Sequence, residues 1–219
     1  MKYSEGAKYS NKEKRLHYPA EAIQKSDNKS PQLYIIEHLD PELYEWCLVE
    51  YTHISEIVGK ENLIFTNIKK AEEKKKLETL GKVEEKSVKE LNLKRVCILD
   101  PAASKTLEPQ DKQTFDYLVF GGILGDWPPQ QRTKKELSEK MDAERRNLGE
   151  EQMSTNTAVY VAKKIIDGKK FSSFEFIEEL VIPIEEGEEI SLPFRFVIEH
   201  GKPVLAKGYI EFVKKQDVF

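Results

Sequence analysis

The chain has 219 residues, of which 39% are apolar and 34% charged, enough for one packed α/β domain with small additions and too few for two full domains. No run approaches the roughly 20 apolar residues that span a bilayer, and the first residues lack the apolar stretch of a secretory signal, so the sequence predicts a cytoplasmic protein with no membrane partner. The net charge of −4 divides unevenly: residues 1–32 carry seven basic and four acidic side chains, or +3, leaving −7 on residues 33–219. That sign argues against a phosphate backbone as the main substrate, since affinity for nucleic acid comes from Lys and Arg displacing counterions, and it suits a basic protein partner.

Residues 1–31 are polar and aperiodic and end in the breaker cluster SDNKSP, which predicts an appended tail before a domain covering 32–219. The short apolar run Leu33–Ile36 predicts a buried strand that delivers Glu37 and His38 to its end. Asp40 and Pro41 then read as N-cap and first residue of a helix closed by Gly59. Leu43, Trp46, Cys47, Tyr51, Ile54, Ile57 and Val58 share one face of that helix, with Glu50 in the middle of the stripe. An ionised carboxylate there is costly to bury unless paired, and its bland reading is a core ion pair with His38 or an arginine.

Asn62–Thr66, Arg95–Leu99 and Asp116–Phe120 predict three further strands, and the Lys/Glu-rich segment 69–90 a solvated helical link. The fourth strand runs directly into the Gly121–Asp126 loop. Thr133 and Glu136 read as a capping box, and a helix is expected from about Thr155 to Asp167 with Gly168 as its stop. Strands alternating with helices predict a mostly parallel sheet with helices on both faces. From about residue 170 the pattern changes to antiparallel strands, with a turn at His200-Gly201 and a last helix near 207–215.

In such a sheet, ligands bind beyond the C-terminal strand ends. Four ends carry polar groups: Glu37-His38, Asp100-Pro101, Gly121–Asp126 and Asn147–Thr157. The glycines Gly121, Gly122 and Gly125 allow close approach of backbone to a ligand and positive φ, but they match neither GxxxxGK[ST] nor GxGxxG, so phosphate-loop and dinucleotide sites are not supported. Cys47 and Cys97 lie in apolar runs without metal-ligand spacing and read as buried thiols, and no metal site is expected.

The segments YIIEH (34–38), DPELYEWCLVEY (40–51), CILDP (97–101), FDYLVFGGILGDWPP (115–129), RTKKEL (132–137), RRNLGEEQMSTNTA (145–158) and LPFRFVIEHGKPVL (192–205) together resemble the SPOUT-class protein arginine methyltransferase family of yeasts and its archaeal relatives. The resemblance covers about residues 33–215 and implies a trefoil-knotted α/β fold that binds S-adenosylmethionine in the knot, with an arginine of a small-subunit ribosomal protein as acceptor. Nucleic acid would then enter only as part of the ribosome, and a monomer is favoured over a homodimer because the C-terminal strands can occupy the usual dimer surface.

On that reading the cofactor is held by backbone groups of Phe120, Gly121, Gly122, Ile123, Leu124 and Gly125 and by Leu148, Gly149, Gln152, Met153 and Ser154, with Leu124, Leu148 and Met153 giving apolar contact. Ser154 and Thr155 also suit the cap of the following helix. Arg132, Arg145 and Arg146 are candidates for the methionine carboxylate or for solvent. An arginine acceptor stays protonated in water, so carboxylates must hold its guanidinium and take its proton. The candidates are Glu37, Asp126, Glu50 and Asp100. Two other classes compete: a SPOUT RNA base methyltransferase, which needs a basic groove, and a non-catalytic nucleotide- or ribosome-binding module.

Overall fold

The computed structural model describes residues 31–123, 130–184 and 188–215. Its centre is a six-stranded, wholly parallel sheet: β1 (Leu33–His38), β2 (Leu63–Thr66), β3 (Lys82–Val83), β4 (Val96–Leu99), β5 (Tyr117–Gly122) and β6 (Glu144–Arg146), in the order β3-β2-β1-β5-β4-β6. The central strands are buried on both faces, as their unbroken apolar runs require.

One face holds Tyr34, Ile36, Leu118 and Phe120 against the helices α1 (Glu45–Val58) and α5 (Thr155–Ile166), through Tyr51, Ile54, Val58, Val161 and Ile165. The other face is covered more thinly. Ile35, Ile98, Val119 and Tyr117 meet Val88, from a single 3-10 turn, and Leu137, at the end of the short helix α4 (Arg132–Glu136). The remaining helices are short: α2 (Ala71–Leu77) and α3 (Asp111–Thr114).

The C-terminal strands form sheets of their own, hydrogen-bonded apart from the parallel one, where the sequence suggested an edge added to the same core. β7 (Glu175–Ile177), β10 (Phe196–Glu199) and β11 (Lys202–Pro203) make a three-stranded antiparallel sheet, and among the described residues β8 (Leu180–Pro183) pairs only with β9 (Glu189–Leu192). His200 and Gly201, both at positive φ, close the β10–β11 hairpin. Ile182, Leu192 and Phe196 pack with Tyr209 and Val213 of α6 (Tyr209–Lys215), and Trp46 and Val49 of α1 join that cluster.

Two helix starts differ from expectation. α1 begins at Glu45, not at Pro41, because Asp40 turns inward and binds Arg132 Nη1 at 2.8 Å instead of capping helix amides. α4 begins at Arg132 behind Gln131 in the left-handed region, and Thr133 makes no capping box; Arg132 spans Asp40 and Glu136. β3, α3 and β6 carry no apolar periodicity, and nothing in their sequences announced them. β6 (Glu-Arg-Arg) is held to α3 by Arg146, whose Nε and Nη2 both reach the Asp111 carboxylate at 3.0 Å while its guanidinium lies 4.9 Å from the Phe115 ring centre.

This bidentate pair is almost fully buried, and removing Asp111 leaves the Arg146 guanidinium with the half-exposed Glu144, 3.1 Å from Nη1, in place of its buried acidic partner. Asp111→Asn should lower the free energy of unfolding by about 3 kcal/mol, read as a shift of the urea midpoint at unchanged slope. A midpoint within experimental error of the parent would show that the pair contributes nothing.

Candidate active site

The C-terminal ends of β1, β5, β4 and β6 lie side by side. His38 is in register with Gly122, Leu39 donates its N–H to the Gly122 carbonyl at 3.0 Å, and Asp100 donates its N–H to the Arg146 carbonyl at 2.9 Å. Above this edge the N-terminus of α5 meets α1. The meeting point is Glu50.

Glu50 is 5% exposed. One carboxylate oxygen accepts the Trp46 indole N–H at 2.7 Å, one helical turn back, and the other accepts the backbone N–H of Thr155 at 3.2 Å. The Thr155 hydroxyl in turn donates to the Gly121 carbonyl at 3.4 Å. The carboxylate thus stands where the α5 dipole is positive and its first amides lack partners, next to the end of β5. The core ion pair expected for Glu50 is absent among the described residues: His38 instead shares a 3.0 Å hydrogen bond with the Tyr51 hydroxyl. Burial pushes the Glu50 carboxyl up to about 7, with the bonds from Trp46 and from the α5 amides of Asn156 and Thr155 pulling the other way.

The other carboxylates are placed differently. Glu37 points through the opposite face of the sheet, fully buried, and accepts from Ser87 Oγ at 2.5 Å, Thr66 Oγ1 at 2.5 Å and Val88 N–H at 2.9 Å. Those bonds commit it to the 3-10 turn at 88–90. Asp100 accepts from Ala102 N–H at 2.9 Å in the turn after β4. Asp126 lies outside the described residues, as do Leu124 and Gly125.

Of the proposed cofactor residues, Phe120 sends its ring into the core, stacked on Tyr34 with centroids 6.5 Å apart, so its backbone alone faces the strand end. β5 continues through Gly121 and Gly122, neither of which takes positive φ. Gly122 is required by close approach of a different kind than expected: a Cβ there would overlap the Tyr51 hydroxyl and stand 2.8 Å from Ile36 Cγ2. Ile123 follows, partly buried.

Leu148 is buried and Met153 packs against the same core. Gly149, at φ +89°, allows a turn in which its N–H donates to Asn147 Oδ1 at 3.1 Å. Gln152 accepts the Arg195 N–H at its carbonyl, 2.9 Å away, while its buried side-chain Oε1 has no hydrogen-bond partner among the described residues. A buried acceptor left unpaired is costly, and a ligand amine would satisfy it. Ser154 occupies the N-cap of α5, but its hydroxyl bonds Asn156 Oδ1 and Thr157 Oγ1 and leaves the helix amides to Glu50.

Of the candidate arginines, Arg132 and Arg146 are engaged by Asp40 and Asp111. Sequence reasoning missed the support behind this loop. Arg195 is gripped by Glu178 through two 2.8 Å bonds, lies 4.9 Å from the Phe176 ring centre, and stands with Phe171 where a Gly149 side chain would be. These residues come from the C-terminal strands, and no local pattern links them to residues 149–152. Among the described residues no group of three or more His, Cys, Asp or Glu is placed to hold a metal ion, and no helix is long and apolar enough to cross a membrane.

Two outcomes follow from this geometry. Gly122→Ala should cost about 1–3 kcal/mol of stability through overpacking, and Tyr51→Phe in the same chain should return part of it; equal stability of both single variants and the pair would remove the steric account. For Glu50, the folded carboxyl titrates near 7 and the unfolded one near 4.5, so ionisation opposes folding progressively between those values and by a constant amount above them. Glu50→Gln should therefore match the parent near pH 5 and exceed its stability by roughly 1–3 kcal/mol near pH 8, with denaturation curves at the two pH values as the measurement.

The family model described as Protein arginine N-methyltransferase SFM1-like matches residues 33–218. Protein arginine N-methyltransferase SFM1 of Saccharomyces cerevisiae is 39% identical over 201 residues, covering 83% of this chain and 94% of the relative. The structure of yeast arginine methyltransferase SFM1 complexed with SAM superimposes with a TM-score of 0.79 at 36% identity, over 91% of this chain and 96% of that one. The complex of the same yeast enzyme with SAH gives 0.76 at 37% identity, over 83% of this chain and 94% of that one. Dual specific Trm10 from Thermococcus kodakaraensis, at 18% identity and a TM-score of 0.51 over 64% of this chain and 95% of that one, shares the fold alone. A match over nearly the whole described body, in sequence and in structure, places this chain in the SFM1-like family of protein arginine N-methyltransferases.

Proposed function

We propose that this protein methylates an arginine side chain of a protein substrate, with S-adenosylmethionine as methyl donor. The observation that carries the reading is the 36% identical, 91% covering match to a yeast arginine methyltransferase solved with that donor. The acceptor proposed is a small-subunit ribosomal protein, met by a cytoplasmic monomer with the trefoil-knotted fold of the class.

The residues fit the donor. The orphaned Gln152 Oε1 offers an acceptor for an amine, and the backbone at Phe120–Ile123 and Leu148–Gly149 borders the same edge of the sheet. When bound, S-adenosylmethionine supplies a methyl carbon activated by a positive sulfur. The chain's own residues supply the rest. Glu50 is assigned the proton: a carboxylate titrating near neutrality, held by Trp46 and the start of α5, is suited to take one proton from a guanidinium nitrogen as that nitrogen gains carbon. Asp126, in the loop between β5 and α4, is the second candidate to hold the guanidinium fork, and Glu37, with its oxygens occupied by three donors, is assigned to structure.

The test is incubation of the purified protein and radiolabelled S-adenosylmethionine with 40S ribosomal subunits, followed by separation of protein from RNA. Label in one ribosomal protein, lost when its arginine becomes lysine, is expected, and Glu50→Gln should cut the rate about 100-fold or more at unchanged donor affinity. Label in RNA would assign the protein to RNA base methylation. No label in either fraction would reject the ribosomal acceptor.

A further inference from the structure

Helix α1 presents two side chains to the first turn of α5, one helical turn apart on the same face: Glu50 and His53. Glu50 takes the backbone, through the N–H groups of Thr155 and Asn156. His53 takes the side chain of Asn156, with Nδ1 and Nδ2 3.0 Å apart. The Asn156 Oδ1 already accepts from the Ser154 hydroxyl at 2.7 Å, so the amide nitrogen is left to donate and the ring must accept. His53 is therefore neutral, with its proton on Nε2. Burial favours that form and lowers the His53 pKa below its ordinary value despite Glu56 one turn on.

Asn156 is buried and completes a chain from His53 to Ser154, the N-cap of α5. An N-cap serine ordinarily accepts the N–H of the second or third helical residue, and in α5 the second is Asn156, one of the two amides on Glu50. Here the serine does neither. Its proton goes to Asn156 Oδ1 and its oxygen meets Thr157 Oγ1 at 2.9 Å, which turns it from the helix amides. Released from Asn156, it would compete with Glu50 for them. Among the described residues, the titratable groups beside Glu50 are Cys47 and Tyr51 of its own helix and Tyr209 of α6. Burial raises all three above their ordinary values, the Cys47 thiol to about 12, so they stay neutral and none replaces a lost amide with a charge.

Resting on the methyltransferase reading above, we infer that His53 is a positioning residue for Glu50: by holding Asn156, and through it Ser154, it keeps the first amides of α5 turned to the carboxylate that takes the proton. His53 acts at one remove from the chemistry. Loss of its bond withdraws a donor from the ionised form of Glu50 and leaves burial to favour the neutral one, so the carboxyl should then hold its proton to higher pH.

The experiment follows the Glu50 carboxyl carbon by NMR titration of the full chain labelled at glutamate, the resonance being the one lost in Glu50→Gln. His53→Leu and Asn156→Ala should each move its midpoint up by about half a pH unit or more. The double variant should move it no further than either alone, because both changes cut the same chain. His53→Asn, whose Oδ1 stands where the ring Nδ1 does and can accept from Asn156, should return it toward the parent. A melting temperature lowered by His53→Leu with the midpoint unmoved would mark a merely structural contact and overturn the assignment, as would additive shifts in the double variant or no recovery in His53→Asn. With 40S subunits and S-adenosylmethionine, the rising limb of the rate–pH profile should move with the midpoint, while affinity for S-adenosylhomocysteine, read by calorimetry, stays within about twofold. A parent that transfers no methyl group, yet whose Glu50 midpoint moves as described, leaves the positioning of Glu50 standing and removes the methyltransferase reading.

Discussion

A carboxylate enclosed between two helices and a strand end organises this molecule. Glu50 sits on the apolar stripe of α1, where its neighbours along the stripe are buried, and among the described residues the cost of placing it there is met without a cation. Its partners are the Trp46 indole and the first amides of α5, groups that would otherwise be unsatisfied donors in a dry interior. The arrangement fixes more than one contact. Because Thr155 also bonds the Gly121 carbonyl, the start of α5, the face of α1 and the end of β5 are locked to one another around a single acid.

That lock leaves the acid poised rather than spent. A surface ion pair would hold its carboxyl ionised at all physiological pH, and a wholly apolar site would hold it protonated; the balance of burial against neutral and dipolar donors puts it near 7. A second glutamate, Glu37 of β1, is buried on the other face of the sheet. Glu37 accepts from three donors, among them the Val88 N–H at the start of the turn that Ser87 caps, whereas Glu50 accepts from the Trp46 indole and the Thr155 N–H, in elements that also border the loop ends.

Much of this was legible in the residues. Unbroken apolar runs at β1, β4 and β5 signalled a parallel sheet, and Glu50 stood out as a charge inside a helical stripe. The stop of α5 at Gly168 and the turn at His200-Gly201 also followed from local chemistry. What escaped was decided by partners distant in sequence. Asp40 reads as an N-cap until Arg132, 92 residues on, claims its carboxylate. β6 is Glu-Arg-Arg, which no periodicity would name a strand, and it exists because β4 offers it an edge and Asp111 takes the charge of Arg146. Gly122 reads from the sequence as a place where backbone can approach a ligand closely, and what the sequence did not announce is that its missing side chain also makes room for a tyrosine of α1. The donors that replace an ion pair at Glu50 were hidden for the same reason, since they come from a helix 105 residues away.

The distribution of charge gives the last step. Long-range attraction depends on net charge and survives over about 10 Å of solvent at physiological salt, whereas proton transfer needs one group of matched acidity at contact distance. These requirements conflict if the same carboxylates serve both, because a cluster of acids around a proton acceptor would raise its pKa further and favour its neutral form. Here they are separated. Residues 33–170, which hold the parallel sheet, carry 23 basic and 25 acidic side chains, a net of −2, and enclose Glu50 among apolar and neutral polar groups, while residues 171–199 carry −7. Arg195 joins the two by binding an acid of that segment with its side chain and the 149–152 loop with its backbone. A group approaching from solvent therefore meets the glutamates of residues 171–199 in one part of the molecule and the single buried carboxylate of Glu50 in another.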